Sequence, residues 1–162
     1  MREPLRILFL CTGNSARSIF AEYLLRSVSA GRFEVFSAGS FPTGNVNPFA
    51  LRVLKDRYGI DASDARSKSW EEFQGVNFDL VITVCDNARE SCPVWPGHPI
   101  VAHWGIPDPA LATGSDEQIF QQFSETAKEL QRRIELFSAI PFEDIDRREI
   151  SRRTEVIGEI SG

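Results

Sequence analysis

The sequence predicts an α/β fold, a three-layer open sheet of four parallel strands flanked by helices, on three observations. Short apolar runs alternate with amphipathic stretches along the chain. The first of these alternations, Leu5 to Phe36, reads as a βαβ unit, which needs a crossover helix and so a parallel pair. The run Phe78 to Val84 reads as a central parallel strand covered on both faces. The length of 162 residues suits one domain with a full core. We place that domain over residues 1–140, with a C-terminal extension over 141–162 to which the sequence assigns no structure.

The elements follow in order. Leu5 to Leu10 is the first strand, and a helix runs from about Ser15 to Ser29. Ile19, Phe20, Tyr23, Leu24 and Val28 recur at three- and four-residue steps along it, which puts one face on the sheet. Phe33 to Phe36 is the second strand, closed by Ser37-Ala38-Gly39-Ser40. Asn47-Pro48 opens the next helix, with proline in its first turn, and Gly59 stops it after Tyr58. Phe78 to Val84 ends at Cys85. Ile100 to Ala102 is the fourth strand and leads into His103-Trp104-Gly105-Ile106-Pro107-Asp108-Pro109. Ser115 to Ile140 is the longest helix, with Ile119, Phe123, Leu130, Ile134 and Phe137 on its buried side. After Pro141 the chain mixes Arg147, Arg148, Arg152 and Arg153 with acids and isoleucines, and a frayed extension is expected there, with a dimer or partner contact as the alternative.

Composition narrows the function. A net charge of -5 without clustered Lys and Arg argues against nucleic acid as a partner. No apolar stretch approaches the length of a membrane span. Met1-Arg2-Glu3-Pro4 leads straight into a strand, without the basic head and apolar core of an export signal, so the cytoplasm is the expected compartment. Three cysteines in such a chain point to reactive thiols or a metal rather than a static disulfide framework.

The chemistry concentrates at Cys11-Thr12-Gly13-Asn14-Ser15-Ala16-Arg17-Ser18. A thiol leaving the end of a buried strand here meets a run of backbone N–H groups and then a helix N-terminus, both of which favour negative charge. The field that holds a tetrahedral oxyanion also favours the thiolate form of Cys11, which is the nucleophilic form. Arg17 supplies a planar fork for two oxygens of a phosphate-like ligand. Thr12 to Ser18 therefore form the candidate anion-binding loop. The hydroxyls of Ser15 and Ser18 are in reach of the loop or the sulfur, and Asn14 is a residue to tie the bent backbone together. The first strand of an α/β sheet delivers its C-terminal end to the crevice where such folds bind ligands.

That octapeptide, together with Ser37-Ala38-Gly39 and the late Asp108-Pro109 pair, resembles the low-molecular-weight protein tyrosine phosphatase superfamily, over roughly Leu5 to Phe137. Within it, Thr83-Val84-Cys85-Asp86-Asn87-Ala88-Arg89-Glu90-Ser91-Cys92-Pro93, followed by His103-Trp104-Gly105, is similar to the arsenate reductases that share the phosphatase fold. The resemblance implies arsenate as substrate, with phosphate or sulfate as analogues. It implies Cys11 as nucleophile, Asp108 as proton donor, and Cys85 and Cys92 as the second and third thiols of a relay ending in a Cys85–Cys92 disulfide. Thioredoxin or glutaredoxin would reset it, with no tightly bound cofactor and no metal. Asn87 to Cys92 reads as a short helix. Seven helical residues span about 10.5 Å, beyond the roughly 7 Å that a disulfide allows between α-carbons, so the segment from Cys85 to about Gly97 is expected to move.

Two rivals remain at this stage. A phosphatase would use the same loop and Asp108 and need one cysteine only. A metal site from Cys85, Cys92, His98 and His103 fits zinc spacing poorly. Ala110 and Leu111 stand where the phosphatases carry tyrosines, and Ala16 stands where several relatives carry a further cysteine. Some reductases of this group support the loop with a monovalent cation through Asn14, Glu22 and Ser37. Here Lys68 falls where another acidic ligand would stand; either its ammonium replaces the cation or it is a solvated lysine. Trp70 and Trp95 are expected to serve packing, and His103 to be hydrogen-bonded beside Trp104.

Overall fold

The strands β1 (Leu5–Cys11), β2 (Phe33–Gly39), β3 (Leu80–Thr83) and β4 (Ile100–His103) form one parallel sheet in the order β2-β1-β3-β4. The computed structural model describes residues 3–86 and 94–160. Its helices are α1 (Arg17–Val28), α2 (Pro48–Tyr58), α3 (Asp116–Ser138) and α4 (Arg147–Gly158). The sheet and its flanking helices match the fold expected from the sequence.

Parallel pairing needs both faces covered, and the two faces are covered differently. On one, Ile7, Phe9, Leu80, Ile82, Ile100 and Ala102 pack against buried residues of α1, α2 and α3, including Phe20, Leu54 and Phe123. On the other, Leu8, Leu10, Ala38 and Val81 meet Phe78 and Trp95, with Phe36, Trp70 and Phe73 at the margin. Trp70 and Trp95 stand edge-to-face at 6.2 Å, which is the packing role expected of them.

Caps explain the helix boundaries. The Asn47 side chain accepts from the Phe49 N–H, and Gly59 ends α2 at a φ of 65°, a conformation costly for other residues. Ser115 and Gln118 form a reciprocal capping box at the start of α3.

Two boundaries differ from the sequence reading. β2 continues past Phe36 to Gly39, because Ser37, Ala38 and Gly39 stay in register with Phe9, Leu10 and Cys11. β3 is shorter than Phe78 to Val84, since Phe78 turns into the aromatic cluster with Phe36, Phe73 and Trp95. The C-terminal residues overturn the expectation of a frayed tail. Asp146 caps α4 by accepting from the Glu149 N–H, and Ile145, Ile150 and Ile157 reach the main core. Ile157 is buried and Ile145 and Ile150 are partly buried; full burial of one isoleucine contributes about 1.5–3 kcal/mol, and together they dock the helix. Among the described residues no helix is long and apolar enough to cross a membrane.

Candidate active site

Cys11 is the last residue of β1 and Arg17 the first of α1. Between them the backbone turns through Asn14 at a φ of 48°, a left-handed conformation that asparagine tolerates better than most residues. The turn brings the Asn14 N–H back to the Cys11 sulfur at 3.2 Å. The loop carbonyls are occupied outward: Ser40 N–H donates to Cys11 O, Phe41 to Thr12 O, Thr43 to Gly13 O and Asn47 to Ser15 O, at 2.9–3.1 Å. The Ser67 hydroxyl adds a bond to Gly13 O at 3.0 Å. With its carbonyls held on the outside, the loop has N–H groups left to turn inward, as an anion nest requires.

Gly39 makes this closeness feasible. A Cβ on it would lie 2.4 Å from Thr12 O and 3.1 Å from Asn14 N. The Ser-Ala-Gly end of β2 is thus a steric condition for the loop on β1.

The inner flank is a buried polar chain. Asn14 Nδ2 donates to Ser18 Oγ at 2.7 Å and to Ser37 Oγ at 3.0 Å, and Ser37 donates to Glu22 Oε1 at 2.6 Å. Ser18 Oγ lies 2.9 Å from the Cys11 sulfur. Since Ser18 accepts from Asn14, its own proton is available to a Cys11 thiolate. The Lys68 side chain closes the chain at its far end. Its Nζ donates to Asn14 Oδ1 at 3.3 Å, Ser37 Oγ at 3.2 Å and Arg66 O at 2.8 Å, with Glu22 Oε1 at 4.0 Å. Its backbone N–H also donates to Asn14 Oδ1, at 2.8 Å, which fixes the orientation of that amide. Burial pushes the Lys68 ammonium below its ordinary proton affinity, and Glu22 pulls it partly back.

The outer flank is Arg17, 4% exposed. Its Nη1 donates to Ile106 O at 3.2 Å and its Nη2 lies 3.6 Å from Asp108 Oδ2. Asp108 also accepts from the Ala110 N–H at 2.9 Å, at the head of a short 3-10 turn, Pro109–Leu111. A carboxyl is therefore held at the mouth of the loop beside the Arg17 guanidinium.

Cys85 stands next to this loop. The register pairs Leu10 with Thr83, and the Val84 N–H donates to Leu10 O at 3.0 Å. With strands about 4.8 Å apart and one further residue of rise, the α-carbons of Cys11 and Cys85 lie within roughly 6 Å. Both cysteines belong to one core cluster, and each is at most 1% exposed. Cys11 is a free thiol, whereas Cys85 is disulfide-bonded. β1 and β3 are also where the strand order reverses, the switch point at which open α/β sheets bind ligands.

Of the residues singled out from sequence, Thr12 to Ser18 come together around Cys11, and Asp108 meets Arg17. Cys85 sits at the neighbouring strand end. Cys92, the short helix expected over Asn87 to Cys92 and much of the segment expected to move lie outside the described residues. His103 Nδ1 pairs with Thr83 Oγ1 at 2.7 Å, as expected of a hydrogen-bonded histidine. The sequence reading missed the brace from residues 40–47 and Ser67. Those bonds are backbone or hydroxyl contacts across long separations and leave no residue-type signature.

Residues 6–149 match the family described as low molecular weight phosphotyrosine protein phosphatase. A similar curated protein is an arsenate reductase of Halalkalibacterium halodurans, 39% identical over 132 residues, which span 82% of this chain and 94% of that one. The fold is similar to that of an arsenate reductase solved in a phosphate-binding state, with a TM-score of 0.69 and 29% identity over 83% of this chain and 97% of the other. It is also similar to a thioredoxin-dependent arsenate reductase of Corynebacterium glutamicum, with a TM-score of 0.56 and 29% identity over 84% of this chain and 65% of that longer one. The chain belongs to the low molecular weight phosphotyrosine protein phosphatase family, on its arsenate reductase branch.

Proposed function

We propose that this protein is an arsenate reductase that works by a relay of Cys11, Cys85 and Cys92 and is reset by a thioredoxin- or glutaredoxin-type protein. The placement of Cys85 beside Cys11, at adjacent strand ends and in one core cluster, carries the reading. A phosphatase has no use for a second sulfur there.

The steps balance as follows. Arsenate enters the loop against the inward N–H groups and Arg17, displacing the guanidinium from its contact with Asp108. The Cys11 thiolate attacks arsenic, Asp108 gives its proton to a departing oxygen, and water leaves. The Cys85 thiolate then attacks the Cys11 sulfur. The sulfur–arsenic bond breaks with its electron pair passing to arsenic, arsenite leaves, and a Cys11–Cys85 disulfide forms. The Cys92 thiolate attacks Cys85, frees Cys11 and carries the oxidised pair away from the loop.

Lys68 takes the part of a monovalent cation in this scheme. Its ammonium already occupies the space between Asn14, Ser37 and Glu22, so an alkali ion does not fit beside it. Turnover is expected to be the same in sodium and potassium salts.

The test is arsenate-dependent NADPH oxidation through a thioredoxin or a glutaredoxin system. The wild-type chain turns over continuously with one of them, and Cys85→Ser stops after forming the Cys11 adduct. No turnover with either system, alongside phosphotyrosine hydrolysis that survives Cys85→Ser, would instead make the protein a phosphatase.

A further inference from the structure

Among the described residues three cations are buried, Arg17, Lys68 and Arg133. The first two belong to the nucleophile loop and its inner brace. Arg133, 3% exposed, stands on α3 and has no part in the steps above. A buried guanidinium is costly unless paired and hydrogen-bonded, so what it holds is informative.

Arg133 holds the backbone that leads to Asp108. Its Nη1 donates to Trp104 O at 3.0 Å and to Gly105 O at 3.3 Å. The next carbonyl, Ile106 O, is held by Arg17. Three successive carbonyls between β4 and the acid loop thus rest on two buried guanidinium groups. Arg133 Nη2 is tied to Glu129 at 3.0 Å and to Ile160 O at 3.3 Å.

The C-terminal segment closes on the same stretch. Trp104 Nε1 donates to Thr154 O at 2.9 Å and the His103 N–H to Glu155 Oε2 at 3.3 Å. Gly158 packs so tightly that a Cβ would lie 2.1 Å from His103 O and 2.8 Å from the Trp104 ring. The family match ends at residue 149, inside α4, so most of this clamp is carried by residues beyond it.

We propose that Arg133, closed in place by α4, is a positioning residue that fixes Trp104 to Ile106 and so holds the Asp108 carboxyl at the mouth of the nucleophile loop. Arg133 touches neither substrate nor sulfur and acts through the backbone. The inference rests on Asp108 serving as proton donor, a role that it has equally in arsenate reduction and in phosphate ester hydrolysis.

The test is a double-mutant cycle with Asp108→Asn in the full-length chain. Turnover of arsenate is followed, or of p-nitrophenyl phosphate if the chain proves a phosphatase. Arg133→Met is expected to lower kcat about tenfold to a hundredfold, the scale of a misplaced reacting group. KM and the rate of Cys11 alkylation by iodoacetamide stay unchanged, as in Asp108→Asn. Adding Arg133→Met to Asp108→Asn gives little further loss. Arg133→Lys, which reaches one carbonyl, restores part of kcat. Gly158→Val, which lifts α4 off Trp104 and loosens the closure over Arg133 without removing its guanidinium, gives a smaller loss of the same kind and stands in should Arg133→Met fail to fold. Additive losses in the double variant, or slowed Cys11 alkylation in Gly158→Val, would overturn the proposal. An Asp108→Asn chain as active as wild type would overturn the proton-donor role instead.

Discussion

The two flanks of the nucleophile loop are built from the same materials, a buried cation and hydrogen bonds, yet they brace different things. On the inner flank Lys68, Asn14, Ser37 and Glu22 saturate one another with side-chain bonds, and the chain ends on the Cys11 sulfur through Ser18. On the outer flank Arg17 reaches one backbone carbonyl and one carboxylate 33% exposed. The inner flank fixes the shape of the loop and hydrogen-bonds its sulfur. The outer flank has groups that must change partner when an oxyanion arrives. A network that is fully satisfied resists rearrangement, so rigidity sits behind the nucleophile and adaptability in front of it.

Asp108→Asn separates the flanks most sharply. Removing the proposed proton donor is expected to lower kcat by about 10²–10⁴, while the Cys11 alkylation rate and thermal stability stay near wild type. Steady-state kinetics beside an iodoacetamide time course check this. A loss of alkylation rate as large as the loss of kcat would mean that the outer flank also controls the sulfur.

Lys68→Met attacks the other side. Breaking a buried ion pair costs roughly 3–5 kcal/mol when the partner is left alone, but Glu22 keeps Arg26, and about 2 kcal/mol is expected here. Denaturant unfolding measures it. Alkylation of Cys11 should slow only slightly, since Asn14 Oδ1 loses the Lys68 ammonium but keeps the backbone N–H of residue 68 that orients the amide toward Ser18. Burial lowers the proton affinity of Lys68 from its ordinary 10.5, so between the lowered value and 10.5 the unfolded chain binds more protons than the folded one. Wild-type stability therefore rises with pH toward 10. Above pH 10 the opposite contribution enters. Burial and Asp64 hold Tyr23 up to about 12, so its share of stability is lost between 10 and 12. Lys68→Met should abolish the rise and keep the fall.

The inner flank was more legible in the sequence than the outer one, for a physical reason. Cys11, Asn14 and Ser18 are residue types whose chemistry and spacing within one turn leave few alternatives, and the resemblance brought Glu22, Ser37 and Lys68 with them. The caps Asn47, Gly59 and Ser115 were equally readable because capping is local. Bonds made by backbone atoms were not readable, and these include the brace from Ser40 to Asn47 and the carbonyls of Trp104, Gly105 and Ile106. Arg133 went unnoticed because an arginine on an amphipathic helix ordinarily faces water. The tail misled because Ile145, Ile150 and Ile157 are spread among arginines and acids, which dilutes a helical stripe.

Gly39→Ala tests a contact that both flanks share, because Gly39 lies against Thr12 and Asn14 at once. A methyl 2.4 Å from Thr12 O forces the loop away from β2, at about 1–3 kcal/mol as for other overpacked sites. Loss of phosphate protection in thermal melts is the readout. A variant that still gains its full melting-temperature shift with phosphate would show that the loop does not depend on this close approach.

The smallest expected effect lies at the far end of the outer flank, where α4 begins. Bonds from Arg152 and Arg153 hold the Glu149 carboxyl down at about 2, from an ordinary 4.5. A folded-state value below the unfolded one contributes stability that is complete above 4.5 and lost as pH falls toward 2. Glu149 is exposed, so the screened contribution is small, but it sits in the first turn of the helix whose Thr154 carbonyl receives the Trp104 indole. Loosening of α4 in acid should therefore appear as faster hydrogen exchange of the Trp104 indole between pH 4.5 and 2. Glu149→Gln should show the faster exchange already at pH 6, with no further acid dependence in that window. If the wild-type indole exchanges at a pH-independent protection across that range, the ion pairs of the first turn do not govern docking of α4, and the clamp on the acid loop rests on Thr154, Gly158 and the isoleucines packed on the core.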